Sequence, residues 1–134
     1  FPARGESVTR TARRWMGAPY LWGGVTPNGV DCSGLVQATY WIHGIALPRD
    51  SDMQARVGAA VDPGDGYADL RPGDLVFFAE RNRVNHVAMS LGGPHIIHAA
   101  AANGGVDVND LAGELDLEIW LRGVFHGARR LLPD

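Results

Sequence analysis

The order of hydrophobic periodicities along the chain predicts an α+β domain, with N-terminal helices packed on a C-terminal antiparallel sheet. Residues 8–16 and 35–40 repeat apolar side chains at helical spacing, whereas from residue 75 onward the period shortens to that of strands separated by Gly-rich turns. Helices first and strands later is the pattern of segregated layers rather than of alternating βαβ units. Size agrees: 134 residues make a single domain spanning 1–134, with 46% hydrophobic residues for a core and 20% charged residues for a solvated surface.

Val8, Ala12, Trp15 and Met16 define the first helix; Arg13 and Arg14 suit its last turn, where backbone carbonyls favour cations, and Gly17 followed by Pro19 stops it. A glycine-rich connection, Trp22-Gly23-Gly24 through Pro27-Asn28-Gly29, leads to a second helix starting near Cys32. Leu35, Val36, Thr39 and Tyr40 lie along one side of it, His43 near its end is placed to cap it, and Gly44 terminates it. Ser51 and Gln54 have capping-box spacing and predict a short helix to about Arg56, with Gly58 beyond. Residues 61–73, rich in Pro, Gly and Asp, read as loop. Leu75 to Ala79 reads as a buried strand, and Val84 to Leu91 with His95 to Ala100 as a hairpin across Gly92-Gly93-Pro94. Residues 101–118 are ambiguous. Val124 to Leu132 reads as a last strand, although Gly123 and Gly127 weaken it.

Composition excludes several functions. A formal net charge of −3, with both signs mixed along the chain, offers no footprint for nucleic acid. No apolar run approaches the roughly 20 residues that span a bilayer, and the amino end lacks the basic-then-apolar pattern of a signal peptide. The sequence opens at Phe1 without an initiator methionine, consistent with a mature protein or an excised domain. All 12 basic residues are arginine, which excludes a catalytic lysine, and one cysteine builds neither an intrachain disulfide nor a thiolate zinc cage. No cofactor is expected.

Cys32, the only cysteine, sits in Val30-Asp31-Cys32-Ser33-Gly34-Leu35-Val36, where a turn runs into a helix. A helix start presents unpaired amides and a partial positive charge, which lowers a thiol pKa and favours a nucleophilic thiolate. The competing reading is an inert buried cysteine. A nucleophile needs a base, and the base a group that fixes its ring. His86 and His98 are candidates for both roles. If three residues join their strands, paired numbers sum to 186, His86 faces Ala100 and His98 faces Ala88, and the imidazoles are diagonal neighbours on one face. A two-residue loop separates them onto opposite faces. The other readings are surface histidines or metal ligands; His95 and His98, an odd number apart, point to opposite faces, and no metal is expected.

Six ordered segments carry a family resemblance: Pro19-Tyr20-Leu21-Trp22-Gly23-Gly24, Asp31-Cys32-Ser33-Gly34-Leu35-Val36, Leu47-Pro48-Arg49-Asp50-Ser51, Pro72-Gly73-Asp74-Leu75-Val76-Phe77-Phe78, Asn85-His86-Val87-Ala88 and Ile97-His98-Ala99. Over about residues 10–131 the chain resembles the NlpC family of bacterial cell-wall cysteine peptidases. The resemblance implies a papain-like fold and hydrolysis of the amide between the γ-carboxyl of D-glutamate and a diamino acid, such as diaminopimelate, in peptidoglycan stem peptides or muropeptides. It implies Cys32 as nucleophile, His86 as general base, His98 as the residue that orients His86, and Tyr20 as an oxyanion donor with the Cys32 amide. Asp31, Ser33, Asp50 and Ser51 match positions that, in members acting on freed peptides, recognise the terminal L-Ala amine and the glutamate α-carboxylate. On their own chemistry, Asp31 and Ser51 equally suit helix caps, and Asp50 a partner for Arg49. Such members often carry bacterial SH3-like domains ahead of the catalytic domain. The resemblance implies the cell envelope or secretion, or a cytoplasmic recycling role. An amidase or acyltransferase with the same three residues and a catalytically silent wall-binding module are the alternative readings.

Overall fold

The computed structural model describes residues 4–133. Helix α1 (Gly5–Arg13) buries Val8 and Ala12, and the turn after it carries Trp15 into the core before Gly17, at φ 84°, redirects the chain. The glycine-rich connection forms a small antiparallel hairpin of β1 (Val25–Thr26) and β2 (Gly29–Val30). It delivers the chain into α2 (Cys32–Ile42), whose expected face of Leu35, Val36, Thr39 and Tyr40 is buried. His43 is its C-cap residue, and the His43 ring, 2.7 Å from the Thr11 hydroxyl, ties α2 to α1.

The short helix α3 (Ser51–Gln54) departs from the expected capping box. Asp50 takes the N-cap position, its side chain makes no cap hydrogen bond, and Gln54 turns inward instead of reaching back to its own helix start. The fully buried Gln54 Nε2 donates to the Ser33 carbonyl at 3.1 Å and the Pro48 carbonyl at 2.8 Å.

A six-stranded antiparallel sheet follows, formed by β3 (Ala59–Val61), β4 (Leu75–Glu80), β5 (Arg83–Gly92), β6 (His95–Ala100), β7 (Gly105–Asp110) and β8 (Phe125–Arg130), in the order β3-β8-β4-β5-β6-β7. Strand β7 occupies the stretch left ambiguous, helix α4 (Asp116–Gly123) between β7 and β8 begins in it and runs past it, and β3 lies where no strand was expected. One face, with Leu75, Phe77, Val87, Met89 and Ile97, packs on α1 and α2. The other, with Val76, Phe78, Ala88 and Ile96, packs on Leu111 and on Leu121 of α4.

The β5–β6 hairpin combines the register of the three-residue alternative with the turn of the two-residue one. Met89 pairs with Ile97 and Ser90 with Ile96, both summing to 186, yet Gly92 pairs with His95 across only two residues. An irregularity between Ser90 and Gly92 supplies the extra residue that restores the alternation. Beyond Met89–Ile97 the two strands stop pairing, so His86 and Ala100 are not partners in a ladder.

Candidate active site

That opening in the sheet is where the site forms. Cys32 belongs to the layer on one face, whereas His86 and His98 share the parity of Ala88 and Ile96 on the other. Where the β5–β6 ladder ends, the Val87 amide is free to point at the Cys32 sulfur, and thiol and His86 line one cavity of about 240 Å³.

Asp31 builds the start of α2. Its Oδ1 accepts from the Gly34 amide at 2.7 Å and its Oδ2 from the Gly23 amide at 2.8 Å. Arg49 closes on the same carboxylate as a two-pronged pair, 3.0 Å to Oδ1 and 2.9 Å to Oδ2, and also donates to the Ser33 hydroxyl at 2.8 Å. The partner of Arg49 is thus Asp31, not Asp50. Burial opposes the Asp31 charge, but Arg49 and the two amides outweigh it and hold the carboxyl below its ordinary range. Gly34 is required here, because a side chain on it would come within 2.3 Å of the Gly24 carbonyl oxygen.

Cys32 is the first residue of α2, and the amides of Val87, Ser33 and Cys32 itself favour its thiolate. Burial, with the Asp31 charge in support, outweighs them and pushes the thiol above its ordinary value. The expected low-pKa thiolate is therefore corrected: helix-start amides are present, but Cys32 is 9% exposed and its sulfur loses more in desolvation than it gains. His86 is pushed down to about 3 by burial and then by the neighbouring His98, and His98 is lowered by burial. The resting groups are a neutral thiol and two neutral imidazoles.

The His86 Nε2 and the His98 Nδ1 lie 2.8 Å apart, with the rings nearly perpendicular and 5.0 Å between centroids. His98, 1% exposed, has its Nε2 2.8 Å from the Asn109 Oδ1, and Phe78 packs beside His86. With Nε2 spent on His98, Nδ1 is the nitrogen of His86 that remains for Cys32. His95 points the other way, exposed beside Asp110 at 3.8 Å. Among the described residues, no group of three or more His, Cys, Asp or Glu is arranged to hold a metal ion.

Tyr20 is fixed by a bridge to Val30 and by its amide, which donates to the Gly104 carbonyl; its side chain borders the cavities on both sides of Cys32. Burial, then Cys32 and Asp31, raises its pKa, so the phenol stays a donor. The second cavity, about 380 Å³, is bordered by Asp31, Ser33, Arg49, Asp50 and Ser51 as well as Tyr20 and Cys32. Within it Asp31 and Ser33 are engaged with Arg49, whereas Asp50 is exposed. Asn109, Gln54 and Arg49 are site-building residues that sequence reasoning did not assign. Only Arg49 had a signal, its place in the Arg49-Asp50-Ser51 segment.

Residues 17–124 match the family model described as NlpC/P60 family. A γ-D-glutamyl-L-lysine dipeptidyl-peptidase of Bacillus cereus is 38% identical over 96% of the chain, and the chain spans 37% of that relative's length. A crystal structure of an NlpC/P60 family protein from Bacillus cereus superposes on 99% of the chain with a TM-score of 0.85 and 37% identity, covering 42% of that protein. The NlpC/P60 domain of the peptidoglycan hydrolase SagA superposes on 96% of the chain and over its own full length, with a TM-score of 0.78 and 27% identity.

Proposed function

This chain belongs to the NlpC/P60 family, and we propose that it is a cysteine endopeptidase cutting the bond between the γ-carboxyl of D-glutamate and a diamino acid in peptidoglycan stem peptides. The observation that carries this reading is that His86, backed by His98, shares a cavity with a thiol at a helix start.

In the proposed reaction the Cys32 thiol passes its proton to His86 Nδ1 as sulfur attacks the amide carbonyl. Creating the two opposite charges together lets each offset the desolvation of the other, which neither group could meet alone. The Tyr20 hydroxyl and the Cys32 amide are the donors for the oxyanion. Imidazolium His86 then protonates the leaving amine, and water attacks the thioester with His86 again accepting a proton, which restores the thiol and releases the acid.

Because His86 protonates the leaving amine, the diamino acid belongs on the His86 side of Cys32 and the acyl L-Ala-D-Glu portion on the Asp50 side. Among the described residues lining the His86 side, Glu80 is the one carboxylate, and Leu117 and Trp120 are apolar. That lining suits a side chain ending in an amine. The polar side offers Asp50 for a free L-Ala amine and the hydroxyl of Ser51 for the α-carboxylate, whereas the Ser33 hydroxyl is engaged with Arg49 and Asp31.

The test is mass spectrometry of L-Ala-γ-D-Glu-L-Lys and its diaminopimelate counterpart after incubation with the protein and with Cys32→Ala. Release of L-Ala-D-Glu by the unmutated protein alone supports the reading, and faster cutting of the lysine peptide supports the role of Glu80. Binding without cutting points to a wall-binding module, and transfer to an added amine in preference to water to an acyltransferase.

A further inference from the structure

The hydrogen bonds behind His86 run on to a carboxylate. Glu118, in the first turn of α4, is 6% exposed. Its Oε2 accepts from Asn109 Nδ2 at 3.1 Å and from the Asp110 amide at 2.8 Å, and its Oε1 from the Leu115 amide at 3.1 Å. A carboxylate surrounded by N–H donors is ionised and only accepts. The Asn109 amide therefore has its NH2 toward Glu118 and its oxygen toward His98. Asn103 Nδ2 donates to the same Asn109 oxygen at 2.8 Å, in keeping with that orientation, and its longer 3.4 Å approach to His98 Nε2 is the weaker of its two contacts.

The consequence passes along the chain of bonds. Facing an oxygen, His98 donates from Nε2, and as a neutral ring it keeps Nδ1 as an acceptor. His86 then donates from Nε2 to His98 Nδ1, and its own Nδ1 is left without a proton. We propose that Glu118 and Asn109 are positioning residues that set the tautomer of both histidines, so that His86 meets the Cys32 thiol with a bare Nδ1. This rests on the assignment of Cys32 and His86 as nucleophile and base.

Without Glu118, only Asn103 Nδ2 still holds the Asn109 oxygen, and because Asn103 is itself an amide that can turn over with it, Asn109 can offer NH2 to His98. The opposite tautomer then propagates: His98 carries Nδ1–H, donates to His86 Nε2, and leaves His86 with an Nδ1–H that cannot take the thiol proton. The helix start of α4 needs only the Glu118 Oε1 bond to Leu115, so positioning and capping use different oxygens.

The experiment uses the whole chain with 15N-labelled histidine, reading imidazole tautomers by NMR, together with Cys32 alkylation by iodoacetamide and kcat and KM on L-Ala-γ-D-Glu-L-Lys. In the unmutated protein both His86 and His98 should carry Nε2–H. Glu118→Ala and, independently of the α4 cap, Asn109→Leu should introduce Nδ1–H forms and slow both alkylation and kcat by roughly tenfold to a hundredfold, the scale of one hydrogen bond to a charged group. KM should stay unchanged. Glu118→Gln places an amide oxygen where Oε2 was, loses the Leu115 bond, and should restore the tautomers and most of kcat despite reduced thermal stability. An Nδ1–H on His86 in the unmutated protein, or unaltered tautomers and kcat in folded Glu118→Ala or Asn109→Leu, would overturn the proposal. An uncut tripeptide with the expected spectra and alkylation rates would remove the peptidase reading and leave the tautomer relay standing.

Discussion

At the scale of single residues, desolvation decides the resting charges. A thiol raised by burial should alkylate slowly near neutrality, and its rate with iodoacetamide should climb with an inflection above the ordinary thiol value of about 8.5. An inflection below 7 would show that the helix-start amides win after all. The imidazoles carry a second expectation. His86 and His98 are held neutral in the fold, below the roughly 6.5 of an unfolded histidine, so below that pH the unfolded chain binds more protons. Stability should be full above about pH 6.5 and fall as pH drops toward the folded values, by up to ~1.4 kcal/mol per pH unit for each ring that stays neutral. Urea unfolding of the unmutated protein and of His98→Gln between pH 7 and 4 checks this; parallel curves would contradict it.

At the scale of elements, α3 is four residues long and is held by tertiary bonds rather than by its own helix propensity. Gln54 bridges the Ser33 and Pro48 carbonyls and so fixes Arg49, Asp50 and Ser51 beside the start of α2. Gln54→Leu removes both bonds, one buried and one half-buried, which should cost roughly 1–3 kcal/mol. It should also raise KM more than it lowers kcat, because it loosens the acyl side and not the histidine pair. Denaturant titration and steady-state kinetics measure the two effects, and a change confined to kcat would refute the assigned role. The missed elements share a physical cause. β3 is three residues of Ala-Ala-Val at a sheet edge, and β7 hides its pattern because Asn109, which the histidine network satisfies, sits where an apolar residue would signal a strand. α4, eight residues long, is set by the packing of Leu121 and by the Glu118 bonds.

Over the whole molecule, the groove is divided by Cys32 into an acidic, polar side and a side lined by alanines, Leu117 and Trp120. Asp31 is already neutralised by Arg49, so attraction for a substrate amine falls to Asp50. A free L-Ala-γ-D-Glu-L-Lys peptide should be cut faster than its N-acetylated form, by about tenfold or more if one charged hydrogen bond is lost. Asp50→Asn should erase most of that difference while leaving cleavage of the acetylated peptide near its unmutated rate. Equal cutting of both peptides by the unmutated protein would move the reading toward intact wall.

Much of this protein was legible from local pattern. The first two helices and the strands from Leu75 to Ala100 follow from periodicities that backbone geometry imposes on neighbours in sequence. The candidates Cys32, His86 and His98 were legible from a helix start and from strand alternation, although whether the two histidines share a face depended on a turn that the sequence left open. What only the tertiary structure decided is how groups distant in sequence change one another's charge and orientation. Burial turned an expected thiolate into a neutral thiol, a bulge beside Leu91 rescued a register that a two-residue turn alone would have reversed, and Arg49 chose Asp31 over its neighbour Asp50. Desolvation and hydrogen-bond direction depend on every layer packed around a group, and no window of sequence contains those layers.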